Sequence, residues 1–389
     1  MSRGRTVKAN SPAVPFFTRV SYTRYMVRSY ILILFVLASV GYAENIAPGI
    51  ERISVSEGLP SKYPYRLALI QRTVWVTMRA AQGAFRINGI VRVDGTSISE
   101  FSGTNTGLRS DAVNALTALD DGTLYAASEK GLHRYASNRF EAVGAAVPLT
   151  HITADDTGTV WSFGSDDEKC YSMLLRGGRT TALSMKKRYR PLALFAATSN
   201  SAWLVHQGGI LVITEKAMTD MPLTGTPLWK KENRDPDGPV PSVWIYSAVK
   251  MGPAFYFVGH TKALVRYENG FHVVTNGHFG RLAAGGGNVF ASDFNGSIYR
   301  YDGASFSRIF SGARSIGHLY ASAGGTLWAE VDMERNAPHA LIRYDAPYTR
   351  ETKRYSLLSG SALSPGICDM AVDENGLWLA TNDGLWKIQ

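Results

Sequence analysis

Asp373-Glu-Asn-Gly-Leu-Trp-Leu-Ala-Thr-Asn-Asp-Gly-Leu-Trp-Lys-Ile-Gln389 reads as a tight turn, a short apolar strand carrying Trp378, an Asp-Gly turn and a second strand. Asp, Asn and Gly close two-strand hairpins because they tolerate positive φ or bond their own backbone. The phrase returns at Asp120-Asp-Gly-Thr-Leu-Tyr-Ala-Ala-Ser-Glu-Lys-Gly-Leu-His-Arg-Tyr135. Worn copies of its strand anchor run through the chain. The full set is Val74-Trp75, Leu124-Tyr125, Val160-Trp161, Ala202-Trp203, Phe255-Tyr256, Val289-Phe290, Leu327-Trp328 and Leu377-Trp378. Successive anchors lie 50, 36, 42, 53, 34, 38 and 50 residues apart, on average about 43. That is the period of a four-stranded propeller blade.

The surroundings of each anchor agree. A turn rich in Asp and Gly precedes it, as in Asp155-Asp-Thr-Gly158 or Gly285-Gly-Gly-Asn288, and a second turn and strand follow, as in Leu264-Val-Arg-Tyr267 or Ile298-Tyr-Arg-Tyr301. Anchor strands such as Phe255-Tyr-Phe-Val258 are apolar on both faces. An inner blade strand has this character because neighbouring blades cover both its faces, whereas a sandwich strand with one wet face alternates. Helical periodicity is nowhere sustained, so the fold class is all-β. Eight anchors predict a β-propeller of eight four-stranded blades; seven is the alternative if the stretch between Thr180 and Val249 hides an irregular unit. The last repeat has only three strands, around Ile367–Val372, Leu377–Thr381 and Leu385–Ile388. Ile50–Ser56 is expected to supply the fourth, closing the ring by pairing the N- and C-terminal strands and removing exposed edges.

Gly58-Leu-Pro-Ser61, a Val113-x-x-Leu116 strand, Asp-x-x-Gly-x-Leu-Trp and Asn382-Asp-Gly-Leu-Trp-Lys387 together resemble the two-component regulator propeller repeat. The resemblance covers residues 50–389 and is strongest at 107–135 and 367–388. It implies the extracytoplasmic sensor region of bacterial histidine kinases and diguanylate cyclases, or a stand-alone exported relative. In such sensors a Tyr-rich sandwich domain, a membrane span and an output domain follow. This sequence ends at Gln389, so no kinase or cyclase activity is expected of it.

The formal charge of +9 is misleading as a guide to partners. Six of the 41 basic residues lie in residues 1–43, which hold no acid, so the rest carries 35 bases against 32 acids. That balance leaves no basic footprint for nucleic acid. The basic leader runs into Tyr30-Ile-Leu-Ile-Leu-Phe-Val-Leu-Ala-Ser-Val-Gly-Tyr-Ala43, a secretory signal peptide by pattern, with Met26 an alternative start. Its apolar run is shorter than the ~20 residues of a membrane span. The expectation is a periplasmic or secreted chain with one propeller domain over residues 44–389. Cys170 and Cys368 fall in repeats that are not neighbours, so both should be free, largely buried thiols.

No catalytic motif is present: no Gly-x-Ser-x-Gly elbow, no phosphate-cradling loop, no His-Glu-x-x-His and no dinucleotide fingerprint. Gly285-Gly-Gly287 reads as a hairpin turn. His272 and His278 lack a ligand spacing, so neither a metal nor a cofactor is expected. Leu228–Pro239 departs most from the repeat and reads as a surface loop; its Asp235-Pro-Asp237 has too few ligands for Ca²⁺. The ligand-binding candidates are Arg79, Glu129, His206, His260, Asp293 and Asn382, each at the turn after an anchor strand. In a propeller these turns gather at one channel mouth. The leading expectation is a sensor-type module binding a small molecule or carbohydrate, or a membrane signalling protein. The alternatives are a propeller lyase or glycosidase, which needs converging acids or a His–carboxylate pair, and a truncated sensor of a histidine kinase.

Overall fold

All eight anchors fall on the second strand of a four-stranded antiparallel sheet, and eight such sheets build the domain. The computed structural model describes residues 50–61, 63–79, 87–104, 106–230, 234–235, 238–239, 243–333, 339–356, 366–373 and 376–389. The expected leader over 1–43 lies outside them. In seven blades the strands follow chain order from the channel outward, as in the first: Pro64–Ile70, Thr73–Arg79, Ile87–Asp94 and Ser97–Phe101. The eighth combines both ends of the chain: Ile367–Asp373, Gly376–Thr381 and Gly384–Ile388, then Ile50–Ile53 as its outermost strand. The expected closure is therefore present, with Ile50 opposite Ile388 and Ile53 opposite Leu385. Arg52 adds an ion pair to Asp383 at 2.9 Å.

The closing strand stops at Ile53, three residues sooner than expected. Ser54 caps a 3-10 turn over Val55–Glu57, with the Glu57 carboxylate accepting the Ser54 N–H at 2.7 Å. This capping box ends the strand by offering its backbone other partners. The seven-blade alternative fails. The stretch from Thr180 to Val249 holds one whole regular blade, Pro191–Thr198, Ser201–His206, Gly209–Thr214 and Met218–Asp220. The departing segment after Leu228 carries a two-residue ladder between Arg234–Asp235 and Gly238–Pro239. Asp237 lies outside the described residues, so the Asp235-Pro-Asp237 reading is not tested.

The core is divided among the blade interfaces. Among the described residues there are eight apolar clusters, one for each pair of adjacent blades, including the eighth against the first. The anchors explain why. Trp75 packs toward the second blade, while its neighbours Val74 and Val76 pack toward the eighth. A strand buried on both faces follows directly from this arrangement. Trp161 and Phe290 are fully buried. Cys170 is a buried free thiol as expected; Cys368 is free but only partly buried, because it sits in the register shift of the eighth blade's innermost strand.

Turn chemistry is as the residues predict. Gly286 and Gly287 take φ of +55° and +74° between the strands Phe279–Gly285 and Asn288–Asp293. Asp155 accepts the N–H groups of Thr157 and Thr159, both at 2.9 Å. Gly296 is strongly favoured at φ +73°, since a Cβ there would lie 1.8 Å from the Ala313 carbonyl oxygen. Seven of the eight innermost strands also carry a register shift near their first residues. Such bulges bend a strand and re-aim its side chains. Here they shape the channel.

Candidate functional site

Four antiparallel strands per blade put two kinds of connection at the same end of the channel: the turn from second to third strand, and the link from one blade to the next. That end is the mouth. There a cavity of about 550 Å³ opens across the fourth to seventh blades, within the range of small-molecule sites. Its wall takes Trp244, Ile245 and Tyr246 from the start of the innermost strand Ile245–Met251, and Gly280 and Arg281 from Phe279–Gly285. Gln207 and the segment Ser292–Phe294 close it from the turns.

Its aromatic residues are unusually open. Phe294 is 62% exposed, and Trp244 and Tyr246 are more than a third exposed. Tyr246 and Phe294 meet edge to face, with ring centroids 5.9 Å apart. Gly280 makes this possible, because a Cβ there would press within 3.2 Å of the Phe294 ring. Exposed aromatics grouped around a concavity mark binding surfaces more often than single exposed residues do.

The six expected residues separate. Asp293 lies in the cavity wall, but its carboxylate serves its own turn: Oδ1 accepts the N–H groups of Asn295 and Ser297 at 2.9 and 2.8 Å, and Oδ2 accepts the Tyr299 hydroxyl at 3.1 Å. His260 lies beside the cavity, donating its backbone N–H to the Trp244 carbonyl at 3.0 Å. His206 is packed inward, edge-on to Tyr189 with ring centroids 4.6 Å apart. Burial pushes its pKa down to about 4, and its Nδ1 accepts the Gly208 N–H at 3.2 Å. Arg79, Glu129 and Asn382 sit on the first, second and eighth blades, away from the cavity wall. The Arg79 guanidinium stacks on Tyr65 at 3.4 Å, and Asn382 Oδ1 accepts the Cys368 thiol at 3.5 Å.

The innermost strands share a set of equivalent positions that the residue pattern did not reveal. On each innermost strand, one side chain stands two residues before the partner of the anchor. In three blades this residue is small: Ala115, Ala193 or Ser247. In the other five it is Arg66, His151, Arg281, His318 or Asp369. Two of them bond to the next blade: Asp369 accepts the Leu67 N–H at 2.9 Å, and Ser247 accepts the Leu282 N–H at 3.2 Å. Burial raises the Asp369 pKa, partly offset by Arg66 and by that N–H. Burial and Arg66 together lower the His151 pKa to about 4.

The seventh blade holds a buried polar cluster. Glu330, on Leu327–Asp332, is 4% exposed, yet its two oxygens bridge His318 Nδ1 at 2.7 Å and His339 Nδ1 at 2.9 Å. Gly317 makes room, because a Cβ there would lie 2.4 Å from the carboxylate. Burial pushes Glu330 upward, but the two imidazoles outweigh it and hold its pKa below the ordinary value. Each ring keeps Nε2 for other chemistry, and both histidines are about one-third exposed. Among the described residues no group of three or more His, Cys, Asp or Glu is arranged to hold a metal ion.

No family's sequence model matches the chain, and no curated protein matches it in sequence. Solved structures match the fold. The computationally designed Ika8 protein is 12% identical, covers 84% of this chain and 96% of its own, and gives a TM-score of 0.57. Sqt1 of Saccharomyces cerevisiae is 10% identical, covers 87% and 98%, and also gives 0.57. These likenesses establish the propeller and nothing finer. The similar structures also include the extracellular domain assigned to the hybrid two-component system BT4673 of B. thetaiotaomicron, at 13% identity and a TM-score of 0.32. The match covers 84% of this chain and 65% of that domain. Among the described residues no helix is long and apolar enough to cross a membrane.

Proposed function

We propose that this protein is an exported ligand-binding propeller of the sensor type, which takes its ligand at the channel mouth. The observation that carries the reading is the cavity of about 550 Å³ with Trp244, Tyr246 and Phe294 open around it and Gln207 and Arg281 beside them. Aromatic faces with a few polar side chains suit the apolar face and hydroxyl rim of a sugar ring. A carbohydrate is therefore the ligand class, and a membrane signalling protein the partner that reads its binding. The resemblance of the repeats to sensor propellers supports this direction.

Thermal unfolding against a panel of oligosaccharides tests it. A ligand at 100 times its Kd should stabilise the fold by ~2.7 kcal/mol, seen as a raised midpoint. A chain that unfolds cooperatively and responds to no member of the panel would refute the reading. An enzyme is the second reading, favoured by the His318–Glu330–His339 cluster, since a carboxylate that orients an imidazole is the arrangement of a general base. The same panel separates the two: a sensor returns its ligand intact, whereas an enzyme consumes it.

A further inference from the structure

The two charged groups of the mouth cavity differ in their partners. Asp293 and Arg281 both line it, but the carboxylate is committed to three donors of its own hairpin. The Arg281 side chain is exposed and makes no hydrogen bond, ion pair or ring contact with any described residue. In its blade Phe279 pairs with Asp293 and Arg281 with Ser292 across a bulge at Gly280, and Arg281 lines the cavity. At the same level, the neighbouring innermost strands carry Ser247, whose hydroxyl is taken by the Leu282 N–H, and His318, which is held by Glu330. The acid at that level, Asp369, lies on the eighth blade and is engaged with the Leu67 N–H.

We propose that the ligand of the mouth cavity is an anion, with its carboxylate or phosphate paired to Arg281 and its body against Tyr246 and Phe294. The proposal rests on the ligand-binding reading above and adds the charge of the ligand. A neutral ligand covering the cavity would strip water from a guanidinium whose five donors have no replacement, and burying an unpaired charge is costly. An anion replaces the lost water with charge-assisted, bidentate hydrogen bonds. Arg66 and His151 hold the equivalent positions on the first and third blades, and Arg66 adds positive potential to the channel.

Isothermal titration of the full chain with glucuronate, glucose and inorganic phosphate tests the proposal. Glucuronate should bind at least about tenfold tighter than glucose, and the difference should shrink as salt is raised. Arg281→Ala should erase the difference, while Arg281→Lys should retain part of it. Both variants should keep the wild-type unfolding midpoint, because the side chain is exposed. Binding of phosphate that competes with glucuronate supports the proposal and marks phosphate as an accepted group. Equal affinity for glucuronate and glucose overturns it and leaves the ligand-binding reading standing. So does a charge preference that survives in Arg281→Ala. Failure of glucuronate and phosphate alike also overturns it, and the neutral oligosaccharide panel then decides the broader reading separately.

Discussion

Lowering the pH should destabilise this propeller well above the carboxylate range, and His133 is the residue on which to measure it. His133 lies on the third strand of the second blade, Gly131–Ala136, with no exposed surface. Its Nε2 accepts the Arg109 N–H at 3.0 Å and so anchors the Gly-Leu-Arg-Ser turn that leads into the blade. Burial first, and Arg109 second, lower its pKa from 6.5 to about 4. For a base whose folded pKa lies below its unfolded one, the unfolded chain takes up the proton that the folded chain refuses. Stability is therefore full above the unfolded value and falls as pH drops through the window from 6.5 to about 4. Carried through the linkage relation, these two values give a loss of ~2 kcal/mol between about pH 7 and about pH 5 from this residue alone. His151 and His206, whose pKa values are likewise lowered to about 4, add to the wild-type slope. A variant is needed to isolate the term. His133→Gln keeps an acceptor for the Arg109 N–H but cannot titrate. It should cost about 1 kcal/mol at neutral pH and then lose ~2 kcal/mol less than wild type on acidification. Urea unfolding followed by tryptophan fluorescence at both pH values gives the four stabilities. Equal losses in the two proteins would show that His133 takes up a proton in the folded state, and the reasoning would fail.

Removing the buried carboxylate in Glu330→Ala should destabilise by ~3 kcal/mol, since two imidazoles lose their shared acceptor. Its folded pKa is held below 4.5, so wild type should also lose stability as pH falls below that value and through the folded one, a limb the variant lacks in the same urea titration. Deleting the closing strand Ile50–Ile53 should leave Gly384–Ile388 as an open edge and produce oligomers in size-exclusion chromatography. Arg52→Ala alone should cost less than ~1 kcal/mol by chemical unfolding, because Asp383 is half exposed. Gly296→Ala should lower stability by ~2 kcal/mol or more through its φ of +73° and its clash with Ala313. Gly303→Ala, at φ +96° but facing open space, should cost only about 1 kcal/mol in the same assay.

The residue order by itself determined the blades. Asp-Gly turns and doubly apolar strands act over a few neighbouring residues, so the repeat, its eight copies and the missing strand of the last one can be read without coordinates. Candidate site residues were only partly legible. Taking the turn after each anchor located the mouth, and through Asp293 and His260 it reached the edge of the cavity. It could not tell that Asp293 is used by its own hairpin, or that His206 is packed against Tyr189. The aromatic wall was missed because Trp244 and Tyr246 stand where an inter-blade link meets a bulge, and Phe294 opens the turn after Asp293; their openness depends on the cavity around them. The cluster around Glu330 was hidden for the same kind of reason. His318 lies 12 residues before it and His339 9 residues after it, and only the pairing of three strands places both rings on one carboxylate. Local periodicity sets which strands form. The closing of the ring decides which of their side chains meet, because that depends on register and bulges summed over all eight blades.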